Sequence, residues 1–147
     1  MSFELRRILP IDYSNGYLSL LSQLNGFDYT KTCDSQEKFN ETIRDNLIYV
    51  GVNESNKIVC TGKLVVEKKF GSCVVHIEDV VVDSSFRNLG IGKSLVRELC
   101  KIAETHLPYK IILTCEPKFT RFYESCKFIQ YGISMKYHSA CSQSTTC

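Results

Sequence analysis

Two carboxylates stand side by side in a run of otherwise apolar, β-branched residues, Ile77-Glu78-Asp79-Val80-Val81-Val82. Acids embedded in a core strand cost free energy unless they are paired or used. That cost makes the strand the first place to look for chemistry. Past Val82 the sequence Asp83-Ser84-Ser85 breaks the run, and Arg87-x-x-Gly90-x-Gly92 leads into an amphipathic stretch. Open N–H groups and the positive end of a helix dipole favour a phosphate at such a start. Glycines let the backbone come close to it, and Arg87 and Lys93 add charge. The spacing is neither a P-loop nor a dinucleotide fingerprint, because the Gly-Lys-Ser/Thr ending and the third glycine do not fall where those motifs need them. Adjacent strand residues point to opposite faces, so Glu78 and Asp79 are expected to serve different walls and not to form a close dyad.

These groups need a scaffold, and the pattern supplies one. Phe3 to Ile8 alternates as a first strand that Pro10 closes. Asp12 or Ser14 can cap a helix with Tyr17, Leu18, Leu21 and Leu24 on one face. Asp34-x-x-Glu37 has the form of a capping box before Phe39, Ile43 and Leu47. Leu47–Val52 and Ile58–Val66 flank the turn signal Asn53-Glu54-Ser55-Asn56 and predict a hairpin. Lys68-Lys69-Phe70-Gly71 turns the chain again, and Cys73–Val82 runs back. The helix after Gly92 places Leu95, Leu99, Ile102 and Ala103 on one side, and Pro108 ends it. Tyr109–Cys115 reads as a short strand, Pro117 starts a helix with Phe119, Phe122, Tyr123 and Cys126, and Phe128–Tyr137 reads as a final strand. The order is βααβββαβαβ.

The 147 residues suit a single domain, expected over 1–138, with a flexible Ser/Thr-rich tail over 139–147. Apolar residues make up 44% and charged residues 23%, the composition of a globular protein. A net charge of +2, with no basic run interleaved with aromatics, argues against nucleic acid. No apolar stretch is long enough to cross a bilayer. Met1 to Arg7 lacks the apolar segment of a signal peptide. The eight cysteines then read as small apolar residues in a reducing cytoplasm. Neither they nor the three histidines have ligand spacing, so no metal is expected.

Val80-Val81-Val82-x-x-x-x-Arg87-x-x-Gly90-x-Gly92 resembles the acetyl-CoA signature of the GNAT superfamily of N-acetyltransferases. The element order is similar too. Ile77-Glu78-Asp79-Val80-Val81-Val82, Tyr109-Lys110-Ile111-Ile112-Leu113 and Phe122-Tyr123-Glu124-x-Cys126-x-Phe128 resemble the glucosamine 6-phosphate N-acetyltransferase branch, as does the Glu67-Lys68-Lys69-Phe70 turn. The likeness runs over roughly residues 3 to 137.

The resemblance implies an α/β (α+β) acyl-CoA N-acyltransferase fold, with a central mixed, mostly antiparallel sheet flanked by helices. It implies acetyl-CoA as co-substrate, held by the backbone of Val80, Val81 and Val82 along its pantetheine arm. Arg87, Asn88, Leu89, Gly90, Ile91, Gly92 and Lys93 would hold its pyrophosphate. Tyr123 would meet the thioester sulfur and protonate the departing thiolate. Glu78 and Asp79 would bind the amino sugar. Beside the resemblance, the chemistry makes Glu78, or a water it orders, the candidate to take the amine proton. Lys68, Lys69, Tyr109 and Lys110 would bind the sugar phosphate, and the enzyme would be a cytoplasmic homodimer with a shared site. Four positions depart from the branch. Thr114 stands where members often have an acid, Phe119 replaces an asparagine, Lys127 replaces a glycine, and His138 stands near a usual phosphate-binding arginine, for which it could substitute when protonated. Two other readings stay open: a GNAT acting on another small amine or a protein amine, and a non-catalytic acetyl-CoA-binding module.

Overall fold

A computed structural model describes residues 2–140, and contacts separate the chain into two units divided between Leu113 and Thr114. Alternating and β-branched runs build the sheet of the first unit: β1 (Glu4–Arg7), β2 (Leu47–Val52), β3 (Ile58–Lys69), β4 (Ser72–Val82) and β5 (Lys110–Ile112). The strands lie in sequence order, β1 to β4 antiparallel and β5 parallel to β4. The expected mixed, mostly antiparallel sheet is therefore present. The β2–β3 turn is held by Asn53, whose side-chain oxygen accepts from the N–H groups of Ser55 (3.0 Å) and Lys57 (2.9 Å).

Helices cover both faces. α1 (Tyr17–Ser22) and α3 (Gln36–Arg44) bring Tyr17, Leu18, Leu20, Phe39 and Ile43 against Ile48, Val50, Ile58 and Val81. A shorter helical turn, α2 (Tyr29–Thr32), lies between them. α4 (Ile91–Glu104) buries Ile91, Leu95, Val96, Leu99 and Ala103. A β-carbon on Gly62 would lie 2.5 Å from Leu99 Cδ1, so glycine lets α4 lie directly on β3. Thr61 and Gly62 are neighbours, and Thr61 bonds the Tyr17 hydroxyl of α1. Alternation therefore puts α1 and α4 on opposite faces. Each fully buried leucine of α4 is worth about 1.5–3 kcal/mol.

The caps differ from those expected. Asp12 and Ser14 do not cap α1; its N-cap is Gly16, at φ 84°. Asp12 is instead fully buried and accepts from Arg6 Nη1 (2.8 Å), Arg6 Nη2 (2.9 Å) and the Leu9 N–H (2.8 Å). Ser35, not Asp34, caps α3 by accepting from the Lys38 N–H (3.3 Å), while Asp34 pairs with the Lys38 ammonium. Asp12 thus serves the start of the preceding 3-10 turn, Pro10–Tyr13, rather than α1.

The second unit holds a 3-10 turn (Pro117–Phe119) and α5 (Thr120–Ser125). α5 closes with paired bonds, Lys127 N–H to Glu124 O and Phe128 N–H to Tyr123 O. Lys127 sits at φ 71°, the left-handed position that glycine takes most easily, and the Phe128 ring lies 6.0 Å from that of Tyr123. The strand expected over Phe128–Tyr137 is not formed among the described residues. Its alternation is real, but Ile129, Tyr131, Ile133, Met135 and Tyr137 are 71–92% exposed. A strand needs a ladder partner, and the isolated protomer gives this segment none. From Cys141 on, the expected tail lies outside the described residues.

Candidate active site

The site begins with a fault in the β3–β4 ladder. Thr61 pairs with Val81 and Lys63 with Glu78, so Gly62 on β3 faces two residues, Asp79 and Val80, on β4. This is a β-bulge, which re-aims side chains and bends its strand. Asp79 takes up the extra length at φ 53°, a conformation that aspartate tolerates better than most residues. The bulge cancels the alternation, and Glu78 and Asp79 border one cavity instead of facing opposite ways. Nor are they embedded in the core: both are exposed, so solvent rather than a buried partner satisfies them.

The cavity holds about 390 Å³ and is lined by Lys63, Val65, Glu67, His76, Glu78 and Asp79. The Glu67 carboxylate contacts the Lys69 ammonium and His76 Nε2 (2.9 Å), and these two contacts hold it below the usual carboxylate range. Behind the bulge, burial pushes the Tyr17 hydroxyl up to about 12, opposed by its Thr61 hydrogen bond and aided by the Asp79 charge.

Past the bulge, β4 parts from β5, which pairs with it only through Val74, Val75 and His76. Val80 to Val82 thus keep β3 as a ladder neighbour on one side. The turn that follows is firmly built. Asp83 accepts from the Ser85 N–H (2.8 Å), Gln23 Oε1 accepts from the Ser84 N–H (2.9 Å), and Arg87 Nε donates to Val82 O (3.1 Å). Asn88 (φ 61°) and Gly90 (φ 79°) curl the chain into α4, whose first turn has no side-chain cap. Arg87, Asn88, Leu89, Gly90 and Lys93 are exposed around this start. Ile91 is buried, so only its backbone can serve a ligand. Uncapped N–H groups, two nearby cations and an open glycine suit a phosphate-bearing ligand.

Lys68 and Tyr109 flank the same residue: Cys73 is the register partner of Lys68, and its carbonyl accepts from the Tyr109 N–H (3.1 Å). Lys110 Nζ lies 5.4 Å from the Tyr109 ring. These three and Lys69 therefore gather at the hairpin end of the sheet and do not line the cavity. Sequence reasoning passed over three residues that do, Lys63, Glu67 and His76. Strand alternation was the available signal, since Lys63, Val65 and Glu67 share a face of β3, and His76 and Glu78 share one of β4.

In the second unit Tyr123 belongs to α5 and packs edge-on against Phe122, with ring centres 4.9 Å apart. Burial pushes its hydroxyl up to about 12, with smaller contributions from Cys115 and Cys126, so it stays protonated near neutrality. His138 is exposed in the same unit.

The pattern of the acetyltransferase (GNAT) family matches residues 15–128. A probable glucosamine 6-phosphate N-acetyltransferase 2 of Oryza sativa subsp. japonica is 35% identical over 143 residues, covering 91% of this chain and 86% of that one. Glucosamine 6-phosphate N-acetyltransferase 1 of Dictyostelium discoideum is 38% identical, covering 84% and 83%. The crystal structure of glucosamine-6-phosphate N-acetyltransferase from Arabidopsis thaliana superposes with a TM-score of 0.84 at 32% identity, over 94% of this chain and 99% of that one.

Proposed function

From the membership of this chain in the acetyltransferase (GNAT) family, among the glucosamine 6-phosphate N-acetyltransferases, we propose its reaction. It transfers the acetyl group of acetyl-CoA to the amine of D-glucosamine 6-phosphate. The product, N-acetylglucosamine 6-phosphate, feeds UDP-N-acetylglucosamine synthesis. Transfer is direct, within a ternary complex, and residues 1–138 act as one catalytic domain. The family match, which runs through both units, supports that extent.

The backbone of Arg87 to Lys93 takes the pyrophosphate. Val80 to Val82 receive the pantetheine arm as an added strand, and their N–H groups polarise the thioester carbonyl and hold the oxyanion. Glu78 and Asp79 hold the amine, and Glu78, or a water it orders, takes its proton first. Tyr123, whose hydroxyl is protonated near neutrality, protonates the leaving thiolate. Lys68, Lys69, Tyr109, Lys110 and His138 bind the sugar phosphate. One observation carries the reading: a β4 bulge with two acids on one side and an uncapped, glycine-led helix start at its end.

The enzyme works as a homodimer. The exposed apolar row from Ile129 to Tyr137 supports this, because such a row needs a cover that a second copy can give; a monomer in sedimentation would sink the idea. A cytoplasmic location fits six described cysteines, none in a disulfide.

A thiol-release screen over phosphorylated and unphosphorylated amino sugars tests the reaction. Release with glucosamine 6-phosphate is expected. Acetyl-CoA binding without release from any amine would make the protein a binding module, and release only with other amines would move it to another branch.

A further inference from the structure

The cavity beside the bulge contains a side chain that the reaction above does not use. His76 lines it on the same face of β4 as Glu78, and its Nε2 lies 2.9 Å from Glu67 Oε2. Across the ladder its partner is Val65, with Lys63 and Glu67 to either side on the same face of β3. On the other flank its partner is Ile112 of β5, with Lys110 two residues before it. The charged groups around His76 are therefore Glu67, Glu78 and Asp79 against Lys63, Lys110 and Lys69, which pairs with the same Glu67 carboxylate.

The substrate amine enters as an ammonium ion and must lose one proton before its lone pair can attack. Imidazole is the side chain that exchanges protons in the neutral range. We propose that His76, oriented by Glu67, is the terminal acceptor of the proton that the substrate ammonium sheds. This rests on the reading of the site as an N-acetyltransferase centre.

Three features carry it. The imidazole lines the same cavity as the two acids that hold the amine. Glu67 fixes one ring nitrogen, which leaves the other to exchange a proton. Glu67 is itself held ionised by Lys69 and His76, so it balances the imidazolium charge when that forms. The proton passes from the ammonium through Glu78 or its water to His76, and then to solvent. The freed lone pair forms the C–N bond, the C–S bond breaks, and sulfur keeps the pair. The second nitrogen proton balances the one that the thiolate receives. His76 is partly open to solvent, 29% exposed, which gives the proton a way out.

The test is the pH profile of kcat/KM for glucosamine 6-phosphate in the full chain, for the unaltered protein and for His76→Gln. The variant should lose about 100-fold near neutrality, keep its dissociation constant for acetyl-CoA, and recover as pH rises and the free amine forms unaided. His76→Ala should be rescued by added imidazole, which a purely structural histidine would not allow. Glu67→Gln should move the acid limb of the profile to lower pH. A His76→Gln profile that superimposes on the original would overturn the inference while leaving the functional reading intact. Absence of CoA release by the unaltered protein would overturn both.

Discussion

Glu78 and Asp79 are consecutive on β4 and yet border the same cavity, because Asp79 takes the left-handed conformation of the bulge, φ 53°. On the proposed reading, the pairing sets two carboxylates where the substrate ammonium is held. Glu78→Gln should raise KM for the sugar phosphate roughly 10- to 100-fold, the worth of one charge-assisted hydrogen bond, and leave the affinity for acetyl-CoA unchanged. Asp79→Asn should act similarly without loss of fold, since asparagine tolerates a positive φ. Asp79→Val should cost about 1–2 kcal/mol of stability. Steady-state kinetics and urea titrations separate these outcomes; an unchanged KM in Glu78→Gln would remove that acid from the site.

Gly90 opens α4 at φ 79°, and a β-carbon there would meet nothing within 4 Å. The space beside it is open. Gly90→Glu should abolish acetyl-CoA binding in calorimetry, by bulk and by negative charge at the phosphate site. Retained affinity would place the pyrophosphate elsewhere.

Tyr123 has its hydroxyl pushed up to about 12, chiefly by burial. Tyr123→Phe removes the donor and keeps the ring that packs against Phe122 and Phe128. Turnover should fall about 100-fold or more, with little change in KM for acetyl-CoA. Unchanged turnover would end the acid role.

Asp12 gives a stability prediction. Burial alone would raise its pKa, but Arg6 and the Leu9 N–H overcome that, and the carboxyl ends below its usual value. A folded-state pKa below the unfolded one gives stability that is present above the unfolded pKa and lost as pH falls through the folded value. The urea midpoint should therefore drop at pH values below ~4. Asp12→Ala strands Arg6 and should cost about 3 kcal/mol at neutral pH. A loss under ~1 kcal/mol would show that the pair contributes no more than a surface ion pair.

Much of this was legible beforehand. The hydrophobic periods of Leu47–Val52, Ile58–Val66 and Cys73–Val82 gave strands, and Leu95, Leu99 and Ala103 gave the buried stripe of α4. The glycine-led helix start was visible from Arg87, Gly90 and Gly92. The bulge was not, because no glycine marks it and aspartate bears the positive φ itself. Without the bulge the alternation rule sends Glu78 and Asp79 to opposite faces. The apolar alternation of Ile129 to Tyr137 was read correctly as a pattern, but a pattern does not provide a ladder partner. The caps of α1 and α3 fall elsewhere, on Gly16 and Ser35, while Asp12 pairs with Arg6 and Asp34 with Lys38.

The most direct measurement compares kcat/KM for glucosamine 6-phosphate with that for glucosamine, at saturating acetyl-CoA. A site built around the phosphate should reject the unphosphorylated sugar by at least ~100-fold, with N-acetylglucosamine 6-phosphate as the product by mass. Equal rates for the two sugars, or CoA release with neither, would contradict the account.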